Sequence, residues 1–133
     1  MRHPLTASLA LGLLSTAGCN ESSTPANQTQ AIEVRGPEQE RLHTLDAFNL
    51  AIALKRAIYD AGFTCKQVTD GGFVAKYENL DMWTAKCSDS RDWAIFAGPD
   101  GSAQVRDCKD VAGSGLPSCA VARKPEGSFD QPG

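Results

Sequence analysis

The chain of 133 residues has a formal net charge of −3, from 16 acidic and 13 basic residues, and 41% of its residues are hydrophobic. The basic residues are scattered and form no stripe, which argues against a nucleic-acid-binding protein. The glycines lie between apolar runs, as in turns, and do not form a phosphate-binding loop.

The first 18 residues predict a signal peptide. Arg2 and the amino terminus provide a short positive start, and an apolar run of about ten residues follows from Leu5 to Leu14. That run is too short to span a bilayer as a permanent helix. It ends in Ser-Thr-Ala-Gly-Cys, at residues 15–19.

Small residues directly before Cys19 resemble the lipobox of bacterial lipoprotein precursors, although Thr16 occupies the position where the family usually has Leu. In that family the cysteine is acylated, typically with palmitate, and becomes the mature N-terminus. Asn20 follows, and lipoproteins without Asp at this place usually go to the outer membrane. The resemblance therefore implies a domain in the periplasm, anchored at Cys19; the alternative is an ordinary secretory signal cut nearby.

The cysteine count agrees with lipidation. The sequence contains five cysteines, and removal of Cys19 leaves an even set: Cys65, Cys87, Cys108 and Cys119. Four cysteines in a short exported domain predict two disulfides. The alternatives are a metal site or a redox site, but no C-x-x-C pair is present.

Composition divides the rest of the chain into three parts. Residues 19–43 are rich in polar residues with little to bury, which predicts a flexible tether. Residues 44–119 carry the apolar patterns of a folded domain. Residues 120–133 return to polar residues, Pro and Gly, which predicts a disordered tail.

A single convincing helix is predicted from Asp46 to Ala61. Thr44 or Asp46 can cap its start, and Gly62 ends it with Phe63 as the following apolar contact. We expect one apolar stripe to face the core, formed by Leu45, Phe48, Ile52 and Tyr59 and widened by Leu54 and Ile58.

Alternating apolar residues between Phe73 and Cys108 predict a four-stranded antiparallel meander, so the fold class is α+β with the helix on one face of the sheet. The turn Gly-Pro-Asp-Gly-Ser at residues 98–102 places Ile95 opposite Val105. The preceding loops place Ala85 opposite Ile95 and Ala75 opposite Ala85. The helix-covered face then carries Phe73, Ala75, Tyr77, Trp83, Ala85, Cys87, Trp93, Ile95, Ala97, Ala103 and Val105, and the other face is mostly polar.

The predicted register also assigns the disulfides. Cys87 and Cys108 lie on strands that flank the same middle strand and point to opposite faces, so they are too far apart to bond. The helix exit can lay Cys65 over Cys87, and Cys119 returns to Cys108 after a short turn. This assignment fails if Phe63–Gln67 forms a full strand beside Phe73–Tyr77. Cys65 would then lie two strands from Cys87.

The sequence predicts no catalytic residues, no metal site and no cofactor. His3 lies in the signal peptide and His43 at the end of the tether, so neither can complete a catalytic set in the domain. Acidic residues crowd two loops, but they lack the order of a calcium loop and are expected to be solvated: Asp89, Asp92, Asp107 and Asp110.

Aromatic residues offer a second kind of candidate site. Trp83 and Trp93 are predicted to pack in the core, with a stacking platform for sugar or peptide as the alternative. Phe96 points to the opposite face, where we expect a single exposed aromatic.

The domain resembles, in outline, small exported bacterial proteins of unassigned function that share a helix, a cysteine, a strand ending in cysteine and a Pro-Asp-Gly turn. This resemblance implies no activity. We therefore expect a non-enzymatic, lipid-anchored envelope module that contacts an envelope protein or glycan. The alternatives are a small hydrolase inhibitor and, less favoured, a cell-wall enzyme that uses the aspartate loops.

If Cys19 is acylated, mass spectrometry of the membrane fraction will find a lipid-modified peptide that begins at this residue. A soluble periplasmic protein with unmodified Cys19, or one cleaved elsewhere, would contradict the assignment.

Overall fold

The computed structural model describes residues 35–130. Three helices, α1 (Pro37–His43), α2 (Ala47–Asp60) and α3 (Cys108–Val111), accompany four strands, β1 (Val68–Tyr77), β2 (Leu80–Cys87), β3 (Asp92–Ala97) and β4 (Ala103–Asp107). The strands form one antiparallel sheet in the order β1-β2-β3-β4. Helix α2 packs on one face of this sheet, which confirms the predicted α+β class. No helix in the described region is long and apolar enough to cross a membrane.

The ends of α2 follow the local signals in the sequence. The Asp46 carboxylate accepts a hydrogen bond of 2.8 Å from the Asn49 backbone N–H, as an N-cap does. Gly62 has a φ of +87°, and the Phe63 N–H donates to the Ile58 carbonyl at 3.0 Å. This left-handed residue closes the helix as predicted.

Helix α2 buries only part of the predicted stripe, the part formed by Leu54 and Ile58. Leu50, Leu54 and Ile58 are at most 1% exposed, whereas Phe48, Ile52 and Tyr59 are 42–51% exposed. The sequence of α2 contains two adjacent apolar stripes, and both satisfy the helical period. Ala51 lies in the same buried cluster, whereas Ala47 is buried against the C-terminal segment, where its N–H donates to the Glu126 carbonyl at 2.7 Å.

The β3–β4 hairpin has the predicted register. Ile95 pairs with Val105, and the Gly98 N–H donates to the Ser102 carbonyl at 2.8 Å. Gly101 has a φ of +82°, the left-handed position that the turn requires.

The predicted pairing of β2 with β3 is wrong by two residues. Ala85 pairs with Trp93 and not with Ile95. The loop is tighter than expected, because the Cys87 N–H donates to the Arg91 carbonyl at 2.8 Å and Ser90 takes a φ of +69°. A shift of two residues leaves each side chain on its original face, so Trp83 and Trp93 still lie in the core beneath α2, each 3% exposed.

The register of β1 is wrong for a different reason. The turn to β2 is short, with Tyr77 paired to Leu80, and a bulge between Phe73 and Ala75 interrupts the ladder. Phe73 packs under α2 as predicted, but Ala75 and Tyr77 pack on the opposite face. A bulge adds one residue to a strand and therefore reverses the faces of the residues beyond it.

The second face of the sheet is apolar, contrary to prediction. Phe96 is only 3% exposed, in a cluster of five buried residues: Val74, Met82, Ala94, Phe96 and Val111. Val111 belongs to α3, and Leu116 and Cys119 also pack against this cluster. The chain after β4 thus covers the face that was predicted to be polar.

The two predicted disulfides are present in the structure. Cys65 is bonded to Cys87 with a Cα–Cα distance of 5.5 Å, and Cys108 to Cys119 with 5.9 Å. The first lies in the core under α2 and the second beside the opposite core. Residues 63–67 form no strand, so the alternative path does not arise.

The predicted tether and tail are wrong where the structure describes them. In place of a tether, residues 37–43 form α1, and its Gln39 amide donates to the carbonyls of Asn79 and Ala97 at 2.8 and 2.9 Å. In the tail, Arg123 forms a bridge with Phe73 beside β1. These segments bury few apolar groups but satisfy backbone groups of the sheet, which a composition argument does not detect. The predicted signal peptide, the tether to residue 34, Cys19 and residues 131–133 lie outside the described region.

The choice of stripe can be tested with two matched substitutions in α2. We expect Leu54→Ala to lower the free energy of unfolding by about 2–5 kcal/mol, because it leaves a cavity in the core. Ile52→Ala should cost about 1 kcal/mol or less, because Ile52 is 42% exposed. Urea denaturation measures both, and equal costs would contradict the orientation of α2.

Candidate functional site

The acidic loops that the sequence singled out make turn and cap contacts. An Asp89 oxygen accepts from the Arg91 N–H at 3.1 Å, and an Asp107 oxygen accepts from the Lys109 N–H at the start of α3 at 3.0 Å. Within residues 35–130, no group of three or more His, Cys, Asp or Glu residues is arranged to hold a metal ion. These contacts supply a structural reason for Asp89 and Asp107.

His43 was predicted to lie at the end of a tether, but its side chain is only 5% exposed. Its ring lies 4.7 Å from the Phe73 ring and 4.8 Å from the Trp83 ring, measured between centroids. The Nε2 atom is 2.7 Å from an oxygen of Asp81, whose side chain is fully buried. The Arg123 guanidinium contacts the other ring nitrogen.

Arg35 completes this group of polar residues. Its Nε lies 3.3 Å from the same Asp81 oxygen that His43 contacts. We call Arg35, His43, Asp81 and Arg123 the His43 cluster. It connects the start of the domain, the end of α1, strand β2 and the C-terminal segment.

The contacts of the His43 ring assign its protonation. An arginine can only donate, so Nδ1 accepts from Arg123 and the proton resides on Nε2, which donates to Asp81. Burial lowers the pKa of His43; the hydrogen bond to Asp81 opposes this effect, and the positive charge of Arg35 adds to it. The imidazole is therefore neutral at neutral pH, and both of its nitrogens are occupied. We interpret the cluster as a structural contact that connects α1 with the C-terminal segment.

Sequence reasoning missed this cluster because its members are distant along the chain. His43 is 38 residues from Asp81 and 80 residues from Arg123. The available signal was a charged residue, Asp81, directly before the apolar Met82 and Trp83 in β2.

The outer side of α2 carries the second candidate. Phe48, Ile52 and Tyr59 are 46%, 42% and 51% exposed and lie on one side of the helix, at spacings of four and seven residues. We call these three residues the α2 ridge. Large apolar side chains grouped on a surface are typical of binding sites.

A groove runs along each side of the ridge. The first, of about 660 Å³, lies between α2 and the sheet edge at β4; Ala53 on α2 and Ala103 on β4 both line it. The second, of about 460 Å³, lies between α2 and the segment that enters β1. Ile52 and Arg56 line both grooves.

The second groove combines apolar and basic side chains, and we call it the basic groove. Its lining consists of Phe48, Ala51, Ile52, Lys55, Arg56, Tyr59, Lys66, Gln67 and Val68. None of these described lining residues is acidic. The Lys55 Nζ donates to the Lys66 carbonyl at 2.8 Å and lies 5.9 Å from the centre of the Tyr59 ring. The lysine is thereby held at the border of the groove.

Comparison with known proteins adds no family to this description. No protein-family model matches the chain, and no curated protein or solved structure is significantly similar to it. The functional proposal therefore depends on the chemistry of the surfaces described above.

The His43 cluster predicts a specific pH dependence of stability. The unfolded state takes up a proton near the ordinary pKa of 6.5, but the folded state resists protonation because its His43 pKa is lowered. The unfolded state then binds more protons, so the free energy of unfolding falls as the pH decreases from about 7.5 through 6.5 towards the lowered pKa.

His43→Gln is the matched control for this prediction, because the amide can still donate to Asp81 but does not titrate. Urea denaturation at several pH values should show a weaker pH dependence for the variant than for the parent between about pH 7.5 and 5.5. Equal slopes would contradict the role of His43. His3 lies in the predicted signal peptide, so His43 is the histidine expected to titrate in the mature chain.

Proposed function

We propose that this protein is a non-enzymatic, lipid-anchored module of the bacterial envelope that binds another macromolecule through the outer side of α2. The observation that supports this best is the α2 ridge. It exposes three large apolar side chains on the surface of a helix whose other side is fully buried.

The position of the ridge between two grooves is suited to binding a partner. Ile52 separates two grooves, so a partner can cover the ridge and enter the concave surface on either side. Apolar and aromatic side chains at the centre of such a patch provide most of the energy in many protein interfaces. About half of the surface of each of these residues remains exposed to solvent.

We propose no catalytic role for the His43 cluster. The ring is 5% exposed, and both of its nitrogens already have partners, so it has no free site from which to accept a proton from a substrate. The contacts of His43 with Asp81 and Arg123 give the cluster a structural role between α1 and the C-terminal segment.

The envelope location rests on the N-terminal sequence and on the disulfides. The lipobox-like residues before Cys19 support an anchor, and two disulfides are typical of proteins that fold in an oxidising compartment. The anchor would keep the domain close to the outer membrane, where the partner is an envelope protein or glycan.

A photoreactive amino acid at position 52 tests the proposed surface in intact cells. We expect it to crosslink one reproducible envelope component after irradiation. The same amino acid at position 109 is the control, because the Lys109 side chain is 76% exposed and lies on α3, which packs on the opposite face of the sheet.

Tyr59→Glu, combined with the photoreactive residue at position 52, should strongly reduce the adduct, because it puts a charge on the ridge. The fold should tolerate this change, since Tyr59 is 51% exposed. Identical adducts at positions 52 and 109, or no adduct at position 52, would contradict the proposal.

A further inference from the structure

We infer that the basic groove binds an acidic protein segment that inserts a large apolar side chain. This inference rests on the proposed function and names the chemistry of the partner. It follows from the shape of the groove, its apolar lining and the charges at its border.

The shape of the groove defines the apolar part of the ligand. Ala51 and Val68 are 4% and 2% exposed and form the bottom, whereas the exposed Phe48 and Tyr59 rise at its sides. A volume of about 460 Å³ admits a leucine, phenylalanine or tryptophan side chain. Insertion there would cover apolar surface that is now in contact with water.

The charges define the polar part of the ligand. Lys55, Arg56 and Lys66 line the groove together, although the whole chain has a net charge of −3. The Lys55 ammonium donates to the main-chain carbonyl of Lys66, so these two residues are neighbours at one border of the groove. Carboxylates that flank the inserted side chain would complement them, and such complementarity favours a specific partner and fast association.

The concave surface favours a protein segment over a lipid bilayer. A bilayer would meet the tips of Phe48, Ile52 and Tyr59 but would not reach Ala51 and Val68 at the bottom of the groove. A peptide side chain can reach both. An anionic membrane is therefore the competing ligand that the experiment must distinguish.

Selection from a phage-displayed library of random twelve-residue peptides tests this inference on the mature protein. We expect the enriched peptides to share a large apolar residue flanked by Asp or Glu. Synthetic versions should bind the parent protein, and their affinity should fall when salt is raised from about 50 to 300 mM, because screening weakens the charge contacts.

The double variant Arg56→Glu, Lys66→Glu should bind these peptides at least about tenfold more weakly, because two favourable charges are reversed. Both side chains are exposed, so the variant should keep the melting temperature of the parent within a few degrees. Lys109→Glu is the control for a charge change elsewhere and should bind like the parent.

Three results would overturn the inference: no enriched peptides, enriched peptides without an acidic excess, or equal binding by the double variant. Binding of the parent, but not of the double variant, to phosphatidylglycerol vesicles without any selected peptide would assign the groove to the membrane. The crosslinking experiment at position 52 is independent of these results. An adduct there without acidic peptides would keep the proposed function and reject only the acidic partner.

Discussion

The two central strands are buried on both faces, and the rest of the domain is arranged to cover them. Successive residues of β2 point to opposite sides, yet Met82 and Trp83 are 0% and 3% exposed. Helix α2 covers the Trp83 face, and α3 with the chain to Cys119 covers the Met82 face. One disulfide joins Cys65, after α2, to Cys87 at the end of β2, and the other joins Cys108, at the start of α3, to Cys119. Small domains with limited cores are commonly stabilised by such disulfides.

The packing of α2 determines which of its apolar side chains remain exposed to solvent. Because Leu50, Leu54 and Ile58 occupy the core, the second apolar stripe of the same helix faces outward. One stripe of the helix therefore stabilises the domain, and the other forms the surface that we propose for binding. In the proposed contact, the basic residues that line the groove between α2 and β1 would add selectivity for an acidic partner.

The His43 cluster attaches to the sheet the segments that precede α2 and follow the second disulfide. Arg35 and His43 precede α2, Asp81 belongs to β2 and Arg123 follows the second disulfide, so their contacts hold α1 and the C-terminal segment in place. Burial of a carboxylate is costly unless it is paired, and Asp81 has both a histidine and an arginine beside it. These pairings place the His43 ring between α1, β2 and the C-terminal segment.

The sequence by itself determined the features that depend on neighbouring residues. Asp46 and Gly62 define the ends of α2, and the Pro-Asp-Gly turn sets the β3–β4 register. The two disulfides were also predictable, because strand alternation places Cys87 and Cys108 on opposite faces. These signals act over a few residues, or through the strict two-residue period of a strand.

Tertiary structure decided the rest, including most of the candidate binding surface. Two stripes of α2 satisfy the same helical period, and only contact with the sheet selects the one that is buried. The bulge after Phe73 and the apolar second face depend on strand pairing and on the chain after β4. The His43 cluster joins residues up to 80 positions apart, and no local pattern records which distant side chains will meet when the chain folds.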